Sequence, residues 1–298
     1  MIKHSTSKIL STLKVFWKPL ATIFFWGNSF IATKYALEFL NPLTIIFLRM
    51  IIAVFFLSIV ALYTKRSFSL NLRDHGGIFL LALIATLHLW IQVEGLSYTS
   101  AANTGWIIGF SPVFIVIIGF LWLKEKLMMQ QLIGILIAFG GLVLLVSKGH
   151  ITSISFISNK GDFLVLGSTL TWAVYSIVGK KITVNYPPIM TILFQFLFMA
   201  IIISPFTINS QNFEAVTALA PNYWFAILFL GVFCSGIAYV LWAQSLTEMP
   251  AYKVGAFLYI QPFITFFSAW FLLAEEITII TLISGLIIIS GVVLVNRK

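Results

Sequence analysis

The chain has 298 residues, of which 60% are hydrophobic and 9% charged. Soluble domains carry roughly 25% charged residues, so charge this sparse excludes an ordinary soluble protein. A net charge of +9 would point to nucleic acid in a soluble chain; here the basic residues lie between long apolar runs, where they set membrane orientation instead.

A helix needs about 20 apolar residues to cross roughly 30 Å of hydrocarbon. Ten runs meet that requirement, near 18–37, 42–63, 76–96, 102–123, 128–147, 162–180, 188–208, 222–243, 254–273 and 277–296. Lys3, Lys8, Lys14 and Lys18 precede the first. A secretory leader also begins with positive charge, but its apolar core is shorter and ends at a small-residue cleavage site. The first run has neither property and is expected to be a retained span. With ten spans, both ends of the chain share one side. That side holds fourteen Lys and Arg residues; the other holds three, Lys34, Lys148 and Lys160, and Arg49 lies within a span. The bias predicts a cytoplasmic location for both termini.

The halves repeat. At an offset of 146, Trp26 pairs with Trp172, Lys34 with Lys180, Pro42 with Pro188, and Arg49 with Gln195. At an offset of 150, Gly105 pairs with Gly255, Pro112 with Pro262, Glu125 with Glu275 and Gly141 with Gly291. Five spans per half is an odd number, so the second half enters the bilayer from the opposite side. The expected architecture is an all-α membrane protein of ten transmembrane helices, arranged as two five-helix inverted repeats, 1–148 and 162–298, joined by loop 149–161. Inverted repeats are one solution to alternating access, in which a midplane site faces each side in turn.

The ten spans, the early Trp26-Gly27-Asn28-Ser29-Phe30, Asn41-Pro42 followed by Arg49, and the two Pro…Glu hairpins resemble the drug/metabolite transporter superfamily, EamA type. The resemblance covers nearly the whole chain. It implies secondary transport of a small metabolite, often export, from a bacterial cell. It also implies that spans one, three, four, six, eight and nine are central.

Few residues in the spans carry chemistry. Arg49 stands about seven residues into span two, roughly 10 Å below its end. A charge at that depth is costly unless it pairs or reaches water. It reads either as a contact for a substrate carboxylate or phosphate, or as a structural arginine that snorkels. Gln195 at the equivalent position shows that symmetry does not require the charge. His88 titrates near neutrality and could bind a ligand or relay a proton; it could equally be bonded between helices. Glu94, near the end of span three, is either a coupling carboxylate or an exposed end residue.

Aromatic and neutral polar residues are the expected cavity lining: Trp26 and Asn28, His88 and Gln92, Asn103 and Trp106, Trp172 and Tyr175, Tyr239 and Trp242, and Tyr259 and Gln261. Ligand sites are mostly apolar with a few placed polar groups, although Trp and Tyr near span ends also serve as interface anchors. Pro112 and Pro262 remove a backbone bond in mid-helix and are expected hinges. Gly105 and Gly109 form a Gly-x-x-x-Gly pair that permits close packing. Glu125 and Glu275 precede spans five and ten, where they read as caps of their own hairpins or as gating ion pairs.

Cys234, the single cysteine, excludes an intrachain disulfide and a cysteine-cluster metal site. No phosphate-binding Gly-x-x-x-x-Gly-Lys loop, His-Glu-x-x-His or Gly-x-Ser-x-Gly motif occurs. No catalytic residue, metal or cofactor is expected, and the chain is read as a non-enzyme. The expected partners are a small solute and the lipid bilayer, not nucleic acid. The reading is a multi-pass inner-membrane transporter that moves an amino acid or derivative, most readily outward. The rivals are a carrier of anionic solutes such as sugar phosphates, an intramembrane enzyme, and a non-transporting receptor.

Overall fold

The computed structural model describes residues 2–67, 72–147, 159–183, 186–273 and 279–297. Glu275 and residues 149–158 of the connecting loop lie outside them. The described residues contain helices and no strand. In chain order they are α1 (Ile2–Ala36), α2 (Pro42–Tyr63), α3 (Leu72–Tyr98), α4 (Ala101–Ile108), α5 (Ser111–Leu123), α6 (Met129–Val146), α7 (Lys160–Thr183), α8 (Pro188–Thr207), α9 (Ser210–Thr217) and α10 (Pro221–Leu228). A π-helical stretch, Phe229–Ile237, leads into α11 (Ala238–Glu248). Then follow α12 (Ala251–Ala256), a 3-10 turn (Phe257–Ile260), α13 (Gln261–Leu273) and α14 (Ile279–Asn296).

Six stretches among the described residues are long and apolar enough to cross a bilayer: Pro42–Tyr63, His75–Tyr98, Ala101–Leu123, Lys160–Ile182, Pro188–Thr207 and Pro221–Glu248. Met129–Leu144 and Leu282–Asn296 are apolar but shorter. The first and ninth runs of the sequence fall on α1 and on the α12–α13 rod. The short helix α9 was not anticipated.

Local chemistry fixes where helices start. Asn41 accepts the Thr44 N–H at 2.9 Å, and Pro42 occupies the first turn of α2. Ser100 accepts the Asn103 N–H at 3.0 Å to open α4. Each side chain satisfies an amide that has no partner within its helix, and proline at the first turn loses nothing. The same rule corrects an expectation. The sequence places Pro112 and Pro262 in mid-helix. In the structure α4 stops at Ile108 and α5 starts at Ser111, with Pro112 in its first turn. Likewise α12 gives way to a 3-10 turn before α13, which begins Gln261-Pro262. Both rods therefore interrupt their α-helical hydrogen bonding ahead of an equivalent proline, which opens the helix that follows.

The helices pack in a regular scheme. α6 lies against α14, α2 against α8, and α3 against α7. α1 runs along the π-helical stretch and α11, and touches α13. α5 packs on α7 and α12, and α4 on α7 and α13. The α6–α14 crossing is close because both helices present glycine. A Cβ on Gly134 would stand 2.8 Å from the Val295 amide nitrogen, and one on Gly291 2.6 Å from the Gly134 carbonyl. Trp242, Tyr259 and Phe196 are the largest fully buried side chains. Phe55, Leu62, Leu121, Phe225 and Phe271 are exposed on the helix flanks. Apolar exposure on this scale suits a surface in contact with lipid.

Candidate functional site

The two equivalent tryptophans meet. Trp26 of α1 and Trp172 of α7 stand edge to face with ring centres 4.8 Å apart. Tyr239 approaches Trp26 at 5.4 Å and Trp172 at 5.8 Å. Trp242 lies 5.3 Å from Trp26 and 5.5 Å from Trp172. Tyr175 stacks on Trp172 at 4.9 Å, and His88 sits 5.0 Å from the same indole. Edge-to-face and offset contacts at these separations each contribute about 0.5–1.5 kcal/mol beyond burial.

Hydrogen bonds hold the rings in place. Trp26 Nε1 donates to the Cys234 carbonyl at 2.9 Å, in the π-helical stretch. Trp242 Nε1 donates to Ser176 Oγ at 3.3 Å, and the Tyr175 hydroxyl donates to Gln195 Oε1 at 3.1 Å. Short π-helical insertions are frequent at functional sites because they re-aim side chains and carbonyls. Here the same stretch supplies Ser235, whose Oγ accepts from Arg49 Nε at 3.3 Å.

A narrow cavity opens beside this cluster. The centre of a water molecule can reach about 30 Å³ of it. Seven of the residues singled out in the sequence line it: Trp26, Arg49, His88, Gln92, Trp172, Tyr239 and Gln261. Ser29, Phe30, Leu89, Ile108 and Leu258 complete the wall. Phe30 belongs with the aromatic residues the sequence flags in the first span, whereas Ser29, Leu89, Ile108 and Leu258 were passed over because small or aliphatic residues within an apolar run carry no chemical flag. Only the repeat gave a hint for Ser29, the equivalent of Tyr175.

The polar groups of the wall are unevenly satisfied. Arg49 is buried, and its bond to Ser235 is the only one its guanidinium makes among the described residues. No carboxylate there forms an ion pair with it. His88 Nδ1 lies 3.0 Å from the Ser168 carbonyl. A carbonyl can only accept, so Nδ1 carries a proton and Nε2 is the acceptor of the neutral ring. Trp172 Nε1 and Gln261 Oε1 are buried without a hydrogen-bond partner among the described residues. The cavity thus offers a cation, an indole donor, an amide acceptor and several aromatic faces.

Other expected residues stand elsewhere. Tyr175 and Trp242 form a layer around Trp172 and do not reach the cavity wall. Asn28 donates to Phe24 of its own helix at 2.8 Å. Asn103 donates to Asp162 at 2.5 Å and to Thr99 at 3.2 Å, tying α4 to α7. Trp106 packs on Phe266, and Tyr259 is fully buried with no partner for its hydroxyl among the described residues. Glu94 accepts from Tyr98 at 3.1 Å at the end of α3. No group of three or more His, Cys, Asp or Glu side chains is placed to hold a metal among the described residues.

The bundle ends carry matching devices. Lys34 Nζ donates to the carbonyls of Leu96 at 3.0 Å and Thr99 at 2.7 Å, closing the end of α3. Its equivalent, Lys180, donates to the Met249 carbonyl at 2.8 Å, closing the end of α11. Lys180 also pairs with Glu125 at 2.9 Å. Glu125 in turn accepts the amides of Ala251 at 2.9 Å and Tyr252 at 3.3 Å. Glu125 therefore caps α12 from across the bundle rather than its own hairpin. A carboxylate suits exposed amides at a helix start wherever they come from. Lys18 pairs with Glu248 at the same end.

A family profile, the EamA-like transporter family, matches twice, over residues 15–147 and 159–297. The chain belongs to the EamA-like transporter family. Among its relatives is an "uncharacterized transporter" of Archaeoglobus fulgidus, 32% identical over 285 residues, covering 93% of this chain and 95% of the relative. Another is the "uncharacterized transporter YyaM" of Bacillus subtilis, 24% identical and covering 94% and 92%. A solved crystal structure at 16% identity superposes with a TM-score of 0.75 over 94% of this chain and 96% of the other, a likeness of fold alone. Family membership and the apolar helices make this EamA-like chain a multi-pass membrane transporter.

Proposed function

We propose that the chain is an alternating-access carrier, built from two inverted five-span repeats (1–148 and 162–298), that moves an amino acid or a close derivative out of the cell. The observation that carries the reading is Arg49, buried at a cavity wall it shares with Trp26, Trp172 and Tyr239 and without a carboxylate partner among the described residues. A carboxylate would pair with the guanidinium, and two parallel N–H bonds are the geometry Arg provides best. The α-ammonium group would lie over indole and phenol faces and against Gln261 Oε1, both of which attract a cation. A sugar phosphate would need more positive charge than one arginine supplies.

The inverted repeat is supported by the packing. Exchange of the two halves maps the α3–α7 contact onto the contact of α11 with α1, and maps α6–α14 and α2–α8 onto themselves. Equivalent residues that touch must lie near the exchange axis, and Trp26 with Trp172 do so. The breaks after Ile108 and Ala256 fall beside the cavity, as expected of discontinuous helices at a midplane site. Pro112 and Pro262 start the helices beyond the breaks, where a hinge would act. His88, with Nε2 free to accept, is the group that would take up a proton if transport is proton-coupled. The basic bias of one side supports a cytoplasmic location for both termini, and an inner-membrane location is part of the same proposal.

Counterflow tests the proposal. Proteoliposomes are loaded with unlabelled amino acids and given a radiolabelled amino-acid hydrolysate outside, with no ion gradient. Transient accumulation of one or a few labelled amino acids is the expected result. Absence of accumulation from folded protein, both with and without an imposed pH step, would overturn the amino-acid reading.

A further inference from the structure

We propose that the carrier is an exchanger: it returns across the membrane readily only when Arg49 is neutralised by an anionic group of a second solute. This inference rests on the alternating-access reading and on the cavity already described.

An alternating-access carrier must pass through a state closed to both sides on every transit, loaded or empty. In such a state the site is cut off from bulk water. The cavity here leaves room for the centre of a water molecule over about 30 Å³. One buried water needs about 10–15 Å³ of such space, so roughly two waters fit. Arg49 has five N–H donors, of which Nε bonds Ser235 and no other has a partner among the described residues. None of the described residues lining the cavity is acidic.

A cation sealed in a low-dielectric site with so few partners is unfavourable. A carboxylate on the guanidinium offsets much of the penalty through a charge-assisted pair. Loaded transit is thus favoured over empty transit. Gln195, the equivalent of Arg49, is neutral and bonded to Tyr175, so the second half adds no compensating charge. Free reorientation of the empty carrier, and with it simple net leak of solute, is disfavoured by the same residue that selects the substrate.

The test uses the full chain in proteoliposomes loaded with radiolabelled amino-acid hydrolysate. Efflux is followed into buffer containing unlabelled amino acids and into solute-free buffer. Exchange is expected to exceed solute-free efflux by at least about tenfold, a modest barrier difference for one unpaired buried charge. Arg49→Gln, which copies the other half, should bring the ratio close to one while slowing exchange. Arg49→Lys, which keeps the charge, should preserve the ratio. Equal wild-type rates in both buffers would overturn the exchanger and leave the carrier reading standing. A tenfold ratio that survives Arg49→Gln would also overturn it, because the charge would not be the cause. No efflux in either buffer would overturn the amino-acid reading, and the exchanger with it.

Discussion

The Glu125–Lys180 pair offers the sharpest energetic test. Glu125 accepts three bonds, from Lys180 at 2.9 Å and from the amides of Ala251 and Tyr252 at 2.9 and 3.3 Å. The paired side chains are 14% and 21% exposed, so solvent screens them little. At this separation the attraction is about 6 kcal/mol for an effective dielectric of 20, and desolvation removes much of it. A net coupling of about 2 kcal/mol between the two side chains follows, with about 1 kcal/mol more from the lost amide bonds. Glu125→Ala should therefore cost about 3 kcal/mol, or about 6 °C in Tm for a chain of this size. The assay is thermal unfolding of detergent-solubilised protein, read by tryptophan fluorescence, for Glu125→Ala, Lys180→Met and the double variant. Lys180 retains the Met249 carbonyl, so Lys180→Met should also destabilise, and the double variant should lose less than the sum. Strict additivity would refute the reasoning, because it would leave no interaction between the charges.

Three other outcomes are expected. Lys34→Met deprives the last carbonyls of α3 of their donor and should lower Tm by about 2–4 °C, for a loss of about 1–2 kcal/mol; an unchanged Tm would remove its capping role. Gly291→Leu would drive a side chain into the Gly134 carbonyl and force α6 from α14, so folded yield in a size-exclusion profile should fall sharply. Trp172→Ala removes the ring that touches Trp26, Tyr175 and His88 and should cost about 3–5 kcal/mol together with transport. Trp172→Phe, which keeps a ring but not the unpartnered N–H, should recover folding and only part of the transport.

The sequence carried more of the site than of its mechanics. The offset that pairs Trp26 with Trp172 and Lys34 with Lys180 is visible in the letters alone, and the fold gives each pair related surroundings. Arg49, His88, Gln92 and Gln261 stood out because polar groups are rare in apolar runs, and each lines the cavity. Asn28 and Asn103 stood out for the same reason but bond locally or to Asp162. Composition cannot tell which face of a helix looks inward. The helix breaks were half legible: proline announced irregular backbone, but not that the preceding helix would end first. The partners of Glu125 were hidden because they lie in the other half, Lys180 55 residues away and the Ala251 amide 126. The π-helical stretch has no signature in Phe229–Ile237, and with it the role of Ser235 was out of reach.

The most direct test of a solute site at this cavity uses Ser29, which lines it beside Trp26 and Arg49. Cys234→Ala removes the only native thiol, and Ser29→Cys installs one at the wall. The protein is treated in proteoliposomes with sulfonatoethyl methanethiosulfonate, an anion that Arg49 attracts, and modification is read from intact mass. The account predicts that the amino acid selected by counterflow slows modification and that the modified carrier no longer accumulates tracer. Complete modification with counterflow unchanged would contradict it.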